Sequence, residues 1–224
     1  MATVNNQTFP VDSRGSGNCP ACQSPDHHDF FEMPGVPIDT CVLYDTPEQA
    51  RKAAMGDILL SWCPECGFVN NRSFEPQRVK FEPGYEVSLV YSDVFDKFQR
   101  DLAARLVRTY GLKGKRILEI GCGTGSFLRL LCQLGSNKGI GLDPTLAVEK
   151  TEKLPDGGAV TLIRDFYSNR YDDLKPDFIC CLSVFECIPE PFFFLDQIRR
   201  SIEGHDAAFY CEVFNAFGAF RKQE

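Results

Sequence analysis

The sequence predicts an α/β fold in which a mostly parallel sheet follows a small cysteine-rich module. Two observations support this prediction. From Lys115 onward, short apolar segments alternate with helix-like patterns, which is typical of a parallel sheet with helices on both faces. Before that point, residues 18–75 contain two Cys-x-x-Cys pairs and little apolar sequence. With 224 residues and 43% hydrophobic content, the chain can form one ordinary domain and one small one.

Two helices are predicted ahead of the sheet. Residues 1–17 are polar, so we expect a flexible tail. In DTPEQARKAAMG, within the cysteine-rich module, Thr46 suits the N-cap, Pro47 the first turn and Gly56 the end of a short helix. In the next region, 76–114, a linker leads into a long amphipathic helix. Ser92 or Asp93 is predicted to cap this helix, and Gly111 to end it. Its apolar stripe is predicted at Phe95, Phe98, Leu102 and Leu106.

The remaining region, 115–224, is predicted to form the sheet. The apolar runs predict five strands, at about 116–120, 138–142, 159–163, 177–182 and 207–213, with helices at about 124–134 and 191–202. Ligands of such sheets bind beyond the carboxyl ends of the strands.

The first strand of this region leads into a glycine loop. In RILEIGCGTGSFLRLL, Gly121, Gly123 and Gly125 form Gly-x-Gly-x-Gly, which differs from the dinucleotide fingerprint because position 126 is serine. Glu119, two residues before the loop, would repel a pyrophosphate but would suit an ammonium group. The free N–H groups of the helix that follows suit a carboxylate. An amino-acid moiety offers both groups at once.

Acidic residues also end the second and third predicted strands. Asp143 is placed to accept hydrogen bonds from ribose hydroxyls. Asp165 is placed to bind the exocyclic amine of an adenine, with Phe166 beside the ring. Ammonium, carboxylate, ribose and adenine together describe S-adenosylmethionine.

These segments, with GIGLDPT and IRDFYS, resemble class I S-adenosylmethionine-dependent methyltransferases over about residues 115–215. The resemblance implies a Rossmann-like sheet and S-adenosylmethionine as cofactor. A sheet of this kind that has lost its cofactor is the alternative interpretation.

The two Cys-x-x-Cys pairs predict a metal site. Cys19, Cys22, Cys63 and Cys66 can supply four thiolates to a tetrahedral Zn²⁺, and a closed shell of this kind is structural. Three further residues could replace one of these ligands, although single residues of these types between two such pairs are more often bystanders: Cys41, His27 and His28. A redox dithiol is less favoured, because neither pair follows a strand and opens a helix.

A zinc module followed by this methyltransferase loop resembles the zinc-containing C-methyltransferases, which methylate carbon in nucleotide-linked sugars and related small metabolites. The resemblance implies a linker that closes over the cofactor, with Tyr85, Ser88 and Tyr91 as the matching residues and Tyr85 as a catalytic candidate. Carbon methylation also needs a base, because a C–H proton must leave.

The segment after the fourth strand departs from that family. In CLSVFECIPEP, Ser183 and Cys187 stand where the family has histidines, and only Glu186 and Ile188 match. Ser183 remains a candidate for the cofactor site, and Glu186 a candidate base if it is buried. His205 precedes the fifth strand, at the wrong end of the sheet for catalysis.

Class I methyltransferases normally continue with two more strands after the fifth. We therefore expect that the chain is truncated, that a partner covers the edge of the fifth strand, or that the protein is a degenerate descendant. Self-association through that edge is one expectation. Asn215 matches the family's residue after this strand.

Charge and composition limit the classes of partner that the chain can bind. The net charge of −7 and the pI of about 5.1 argue against a nucleic-acid binder, and the basic run KGKR is short. There is no apolar run of about 18 residues and no signal-peptide core, so we expect a cytoplasmic protein that acts on a small molecule. A ribosomal RNA base methyltransferase and a non-catalytic cofactor-binding scaffold remain the alternatives.

Overall fold

The structure, a computed structural model, describes residues 17–38, 42–81, 89, 91–215 and 218. The chain divides into two compact units, the first ending at Lys80 and the second beginning at Phe81. None of the helices in the described ranges is long and apolar enough to cross a membrane.

The first unit is a small antiparallel sheet. Strands β1 (His28–Pro37), β2 (Met55–Trp62) and β3 (Val69–Asn71) pair in the order β1-β2-β3, with a one-turn helix α1 (Pro47–Ala50) between the first two. The sequence did not predict these strands.

The helix cap predicted in this unit is confirmed, but the helix end is wrong. The Thr46 side chain accepts a hydrogen bond from the N–H of Gln49, whose own side chain accepts one from the N–H of Thr46. Gly56 lies inside β2 instead of ending α1. The helix stops after one turn because the following chain pairs with β1, beginning with the Ile38 N–H to Ala54 carbonyl bond of 3.0 Å.

The second unit alternates strands and helices. Its elements are α2 (Asp93–Thr109), β4 (Arg116–Ile120), α3 (Ser126–Gly135), β5 (Lys138–Leu142), β6 (Lys150–Lys153), β7 (Ala159–Ile163), β8 (Phe178–Leu182), α4 (Pro191–Ser201) and β9 (Ala208–Glu212). The six strands are ordered β6-β7-β5-β4-β8-β9, and all neighbours are parallel except β6 and β7.

The predicted fold class is confirmed, with one additional strand. All five predicted strands are present within one residue of their expected bounds. The strand that was missed, β6, has the sequence KTEK and lies at the edge of the sheet, so it has no apolar pattern to detect.

Helices cover both faces of this sheet. On one face, α2 and α3 contribute Leu102, Leu106 and Leu131 to a core that includes Ile117. On the other face, α4 contributes Phe194 and Ile198. Ser92 caps α2 as predicted, whereas Phe98 is 46% exposed and does not continue the buried stripe. Because both faces are covered, the carboxyl ends of the strands form the accessible edge.

Candidate functional site

The strand order places a crevice at the carboxyl end of β4. From β4 the chain moves to β5 and β7 on one side, then crosses to β8 and β9 on the other. Open α/β sheets bind ligands at such a reversal. The segments that follow β4, β5, β7 and β8 at this edge contain most of the predicted site residues, and Glu119 lies near the end of β4 itself.

The glycines of the loop after β4 have distinct structural roles. A Cβ at Gly121 would lie 2.2 Å from Val184 Cγ2, and a Cβ at Gly125 would lie 2.7 Å from Leu162 Cδ2. Both residues also have positive φ, +70° and +78°. Gly123, at φ +51°, instead faces open space. The loop therefore packs tightly on both sides, and its middle remains open to a ligand.

The close approach at Gly121 gives a testable prediction. Gly121→Ala is expected to destabilise the fold by about 2–4 kcal/mol, because the new methyl group overlaps Val184 at a backbone conformation that alanine disfavours. Gly114→Ala is the matched control, since Gly114 has φ +63° but open space around its Cβ position. Its cost should be about 1 kcal/mol. Equal losses in urea unfolding would mean that the contact with Val184 is unimportant.

Glu119 is a buried carboxylate with an unpartnered oxygen. It lies in β4, is 3% exposed, and its Oε2 has no hydrogen-bond partner. Burial raises its pKa to about 8, and the nearby Asp143 carboxylate adds to the rise. A buried unpaired oxygen of this kind is costly in the folded protein. It therefore fits a site that is completed by a cationic ligand group.

Asp143 ties the end of β5 to the glycine loop. One carboxylate oxygen accepts the N–H of Gly123 at 2.7 Å, and the other accepts the N–H and hydroxyl of Thr145 at 2.7 and 2.5 Å. The side chain is 7% exposed. Each oxygen can accept more than one hydrogen bond, so Asp143 can hold the loop and still accept from a hydroxyl group.

Asp165 has partners that sequence reasoning missed. Its Oδ2 accepts the hydroxyl of Tyr171 at 2.6 Å and pairs with Arg170 at 2.6 Å, while its Oδ1 accepts the N–H of Phe166 at 2.8 Å. These partners fix the loop after β7 at the edge of the sheet. Phe166 is partly exposed and contacts Phe81 edge to face, with ring centroids 6.4 Å apart.

Sequence reasoning also missed Arg129, on α3. Its guanidinium donates to the Thr124 carbonyl of the glycine loop at 2.8 Å and pairs with Glu152 of β6. A single arginine between apolar residues gave no signal, because its partner lies 23 residues away on an unpredicted strand.

The turn after β8 closes the other side of the crevice. Ser183 is exposed, has φ +53°, and donates its N–H to the Glu212 carbonyl of β9 at 2.9 Å. This turn brings Val184 against Gly121. Glu186 was expected to act as a base only if buried, and the structure exposes it, so that condition is not met.

The remaining candidates are exposed, lie at the other end of the sheet, or fall outside the described residues. Tyr85 and Ser88 lie outside the described residues, and Tyr91 is 86% exposed. His205 Nε2 lies 2.9 Å from the Pro176 carbonyl, ahead of β8 and therefore at the opposite end of the sheet.

The first unit brings its four predicted cysteines together. The sulfur atoms of Cys19, Cys22, Cys63 and Cys66 all lie within 4.8 Å of one another. Neither His27 nor His28 belongs to this group, and Cys41 lies outside the described residues. Both loops turn back on themselves, with Gln23 donating to Cys19 at 2.8 Å and Gly67 to Cys63 at 2.9 Å.

The sulfur positions fit a tetrahedral metal site. Four thiolates about 2.3 Å from a zinc ion lie about 3.8 Å apart. The two pairs Cys19–Cys66 and Cys22–Cys63 have Sγ–Sγ distances of 3.7 and 3.6 Å. Desolvation opposes ionisation of Cys63, but the N–H of Cys66, the Cys22 thiol and the N–H of Glu65 lower its pKa to about 7. Burial raises the pKa of the Cys22 and Cys66 thiols, so the observation that fits a metal is the spacing of the four sulfurs.

Comparison with known proteins finds a family match within the second unit and several curated relatives of the chain. A family model for a methyltransferase domain matches residues 93–223. The ubiquinone biosynthesis O-methyltransferase of Pseudomonas aeruginosa (strain UCBPP-PA14) is 35% identical over 98 residues, which cover 42% of this chain and 42% of that protein. Its counterpart in Proteus mirabilis is 30% identical over 111 residues, covering 47% and 45%.

A mitochondrial ubiquinone biosynthesis O-methyltransferase of Dictyostelium discoideum is 26% identical over 121 residues, covering 47% of this chain and 37% of that protein. The matches to these three curated relatives thus span less than half the length of each.

Proposed function

The chain belongs to the methyltransferase-domain family, and we propose that it transfers a methyl group from S-adenosylmethionine to a small-molecule acceptor. The observation that supports this most is the unpartnered, buried oxygen of Glu119 behind a glycine loop whose middle is open. A buried carboxylate at that place suits the ammonium group of an amino-acid moiety. Asp143 and Asp165 lie at the neighbouring strand ends, where ribose and adenine would lie.

The protein's own part in this reaction is to hold, orient and exclude water. The bound cofactor supplies a methyl group on a positively charged sulfur. Glu119 pairs with the ammonium group, the open N-terminus of α3 receives the carboxylate, and Asp143 accepts from the ribose hydroxyls. Methyl transfer is an in-line displacement, so fixing the donor and acceptor in line accounts for much of the rate enhancement.

Two acceptor classes follow from different observations. The resemblance of the whole chain to zinc-containing C-methyltransferases suggests carbon in a nucleotide-linked sugar. The curated relatives, named as O-methyltransferases, suggest oxygen.

The turns at the acceptor side favour an uncharged acceptor over one that carries a diphosphate. The described residues that follow β8 and β9, 183–190 and 213–215, include no lysine, arginine or histidine. They do include Glu186, Glu190 and the apolar side chains Phe185, Val213 and Phe214. A diphosphate would find no counter-charge among them, whereas an apolar alcohol or phenol would find apolar contacts.

An acceptor panel separates these classes. S-adenosylhomocysteine release should be detected with uncharged phenols and be at least ten-fold slower with nucleotide-linked sugars. Faster release with the diphosphate-bearing sugars would reverse the assignment of the acceptor. No release with any acceptor, by a chain that binds S-adenosylmethionine, would favour the scaffold alternative.

For the first unit we propose a structural zinc ion held by the four clustered cysteines. All four ligand positions are then occupied by protein, so the ion has no open position for substrate.

A further inference from the structure

Arg129 links three elements around the glycine loop. It lies in the first turn of α3, where its backbone N–H donates to the Gly125 carbonyl at 3.1 Å. Its guanidinium turns back to the Thr124 carbonyl at 2.8 Å and also pairs with Glu152 on β6. The side chains of Arg129 and Glu152 are only 24% and 31% exposed. The loop, the helix and the edge strand therefore share one partly buried cation.

This arrangement works against the local electrostatics of the helix. A cation in the first turn of a helix is disfavoured by the positive end of the helix dipole. The first turn of α3 carries no acidic residue, and Gly125 provides no side-chain cap. Glu152 supplies the compensating charge from outside the helix, and the pKa of its carboxyl is lowered first by the hydrogen bond to Arg129.

The same cation acts on the buried carboxylate of the site. Burial and the charge of Asp143 on β5 oppose ionisation of Glu119. Burial also raises the pKa of the neighbouring thiols of Cys122, Cys132 and Cys180, which therefore stay uncharged. The N–H of Leu128 and the positive charge of Arg129, both on α3, favour ionisation of Glu119. The guanidinium of Arg129 thus offsets part of the effect of burial and of Asp143 on Glu119.

We propose that Arg129 is a positioning residue for the cofactor site, which fastens the Thr124 carbonyl to β6 through Glu152 and keeps Glu119 able to receive a cationic group. This inference rests on the proposed function, because it concerns how the same loop is held. It goes further in assigning a role to Arg129, Glu152 and the edge strand, none of which is expected to contact the ligand.

Calorimetric titration with S-adenosylmethionine from pH 6.5 to 9 tests the proposal. Arg129→Met should weaken binding roughly ten-fold, the effect of losing one charge-assisted hydrogen bond, and should move the pH midpoint of binding upward. Glu152→Gln should weaken binding by a smaller factor, and adding it to Arg129→Met should cause little further loss. Arg199→Met is the matched control, since among the described residues Arg199 pairs with Asp196 and Glu203, at the exposed surface of α4 and just after it.

Arg129→Lys distinguishes positioning from a general structural role. Lysine keeps the charge but cannot bridge two acceptors with a planar fork. It should therefore restore the pH midpoint while recovering only part of the affinity. A purely structural role for Arg129 predicts a lower melting temperature with no movement of the pH midpoint.

The outcomes separate this inference from the proposed function. If the unmodified chain does not bind S-adenosylmethionine, the proposed function itself is contradicted. Binding by the unmodified chain, with unchanged affinity and pH midpoint in Arg129→Met, would overturn the role of Arg129. If Arg129→Met fails to fold, the Arg129→Lys and Glu152→Gln variants test the role of Arg129 instead. Wild-type affinity and pH midpoint in both variants would overturn that role.

Discussion

Replacing Glu119 with glutamine is expected to weaken S-adenosylmethionine binding roughly 100-fold while making the unliganded protein more stable at alkaline pH. Glutamine has nearly the same shape but cannot carry the negative charge that pairs with an ammonium group. The same change removes a carboxylate that the fold buries without a partner for Oε2. Affinity and stability should therefore move in opposite directions.

The pH dependence follows from the sign of the shift. Burial raises the Glu119 pKa from 4.5 to about 8, so the folded state keeps a proton that the unfolded state has lost. The stability contributed by this group is complete below pH 4.5 and is lost as the pH rises to 8, by up to about 1.4 kcal/mol per pH unit. Melting temperatures at pH 5.5 and 8.5 should differ less in Glu119→Gln than in the unmodified protein.

Ligand binding should show the complementary proton release. At pH 7 the unliganded Glu119 is largely protonated, and a cationic ligand would displace that proton. Calorimetry in buffers of different ionisation enthalpy counts the protons released, which should vanish in Glu119→Gln. Equal affinity in the two proteins, or the same pH dependence of their melting temperatures, would contradict the role given to Glu119.

Replacing Cys63 with serine is expected to unfold the first unit. Among the described residues of this unit, only Cys19, Ser61 and Cys63 are buried, so an apolar core contributes little to its stability. A structural zinc ion can supply roughly 10 kcal/mol or more to such a module. Hydrogen-exchange protection of β1, β2 and β3 should therefore collapse, and metal content should fall from one zinc per chain toward zero.

Cys187→Ser is the control for this experiment, because Cys187 is an exposed cysteine of the second unit. It should leave metal content and protection unchanged. A Cys63→Ser protein that retained one zinc ion and the protection of its strands would show that the four sulfurs do not hold the metal.

The five parallel strands and the glycine loop were predictable because their signals are local. Each strand is a short apolar run, fully buried along most of β4 and β8, and the loop residues are glycines because positive φ or close packing requires it. The cysteine cluster was predictable because each pair lies on one short turn, and the two pairs have the spacing of a shared metal site.

The features that escaped prediction depend on contacts between distant segments. The strands β6 and β1 are polar or exposed, so their sequences lack the alternation of apolar and polar residues that a half-buried strand shows. The pairing of Arg129 with Glu152, and of Asp165 with Arg170 and Tyr171, exists only once the sheet edge has formed. Glu186 matched a family motif, but its exposure is a property of the folded turn.

The most direct test of the central claim is a calorimetric titration of the zinc-loaded chain with S-adenosylmethionine, with Asp143→Ala beside it. Saturable binding with one site per chain, lost in the variant, is the predicted result, because Asp143 holds Gly123 and is proposed to accept hydrogen bonds from the ribose. Asp156→Ala, a change at an exposed residue between β6 and β7, should bind normally. No binding by the folded, zinc-loaded chain, or equal binding by Asp143→Ala, would contradict the assignment of this edge as the cofactor site.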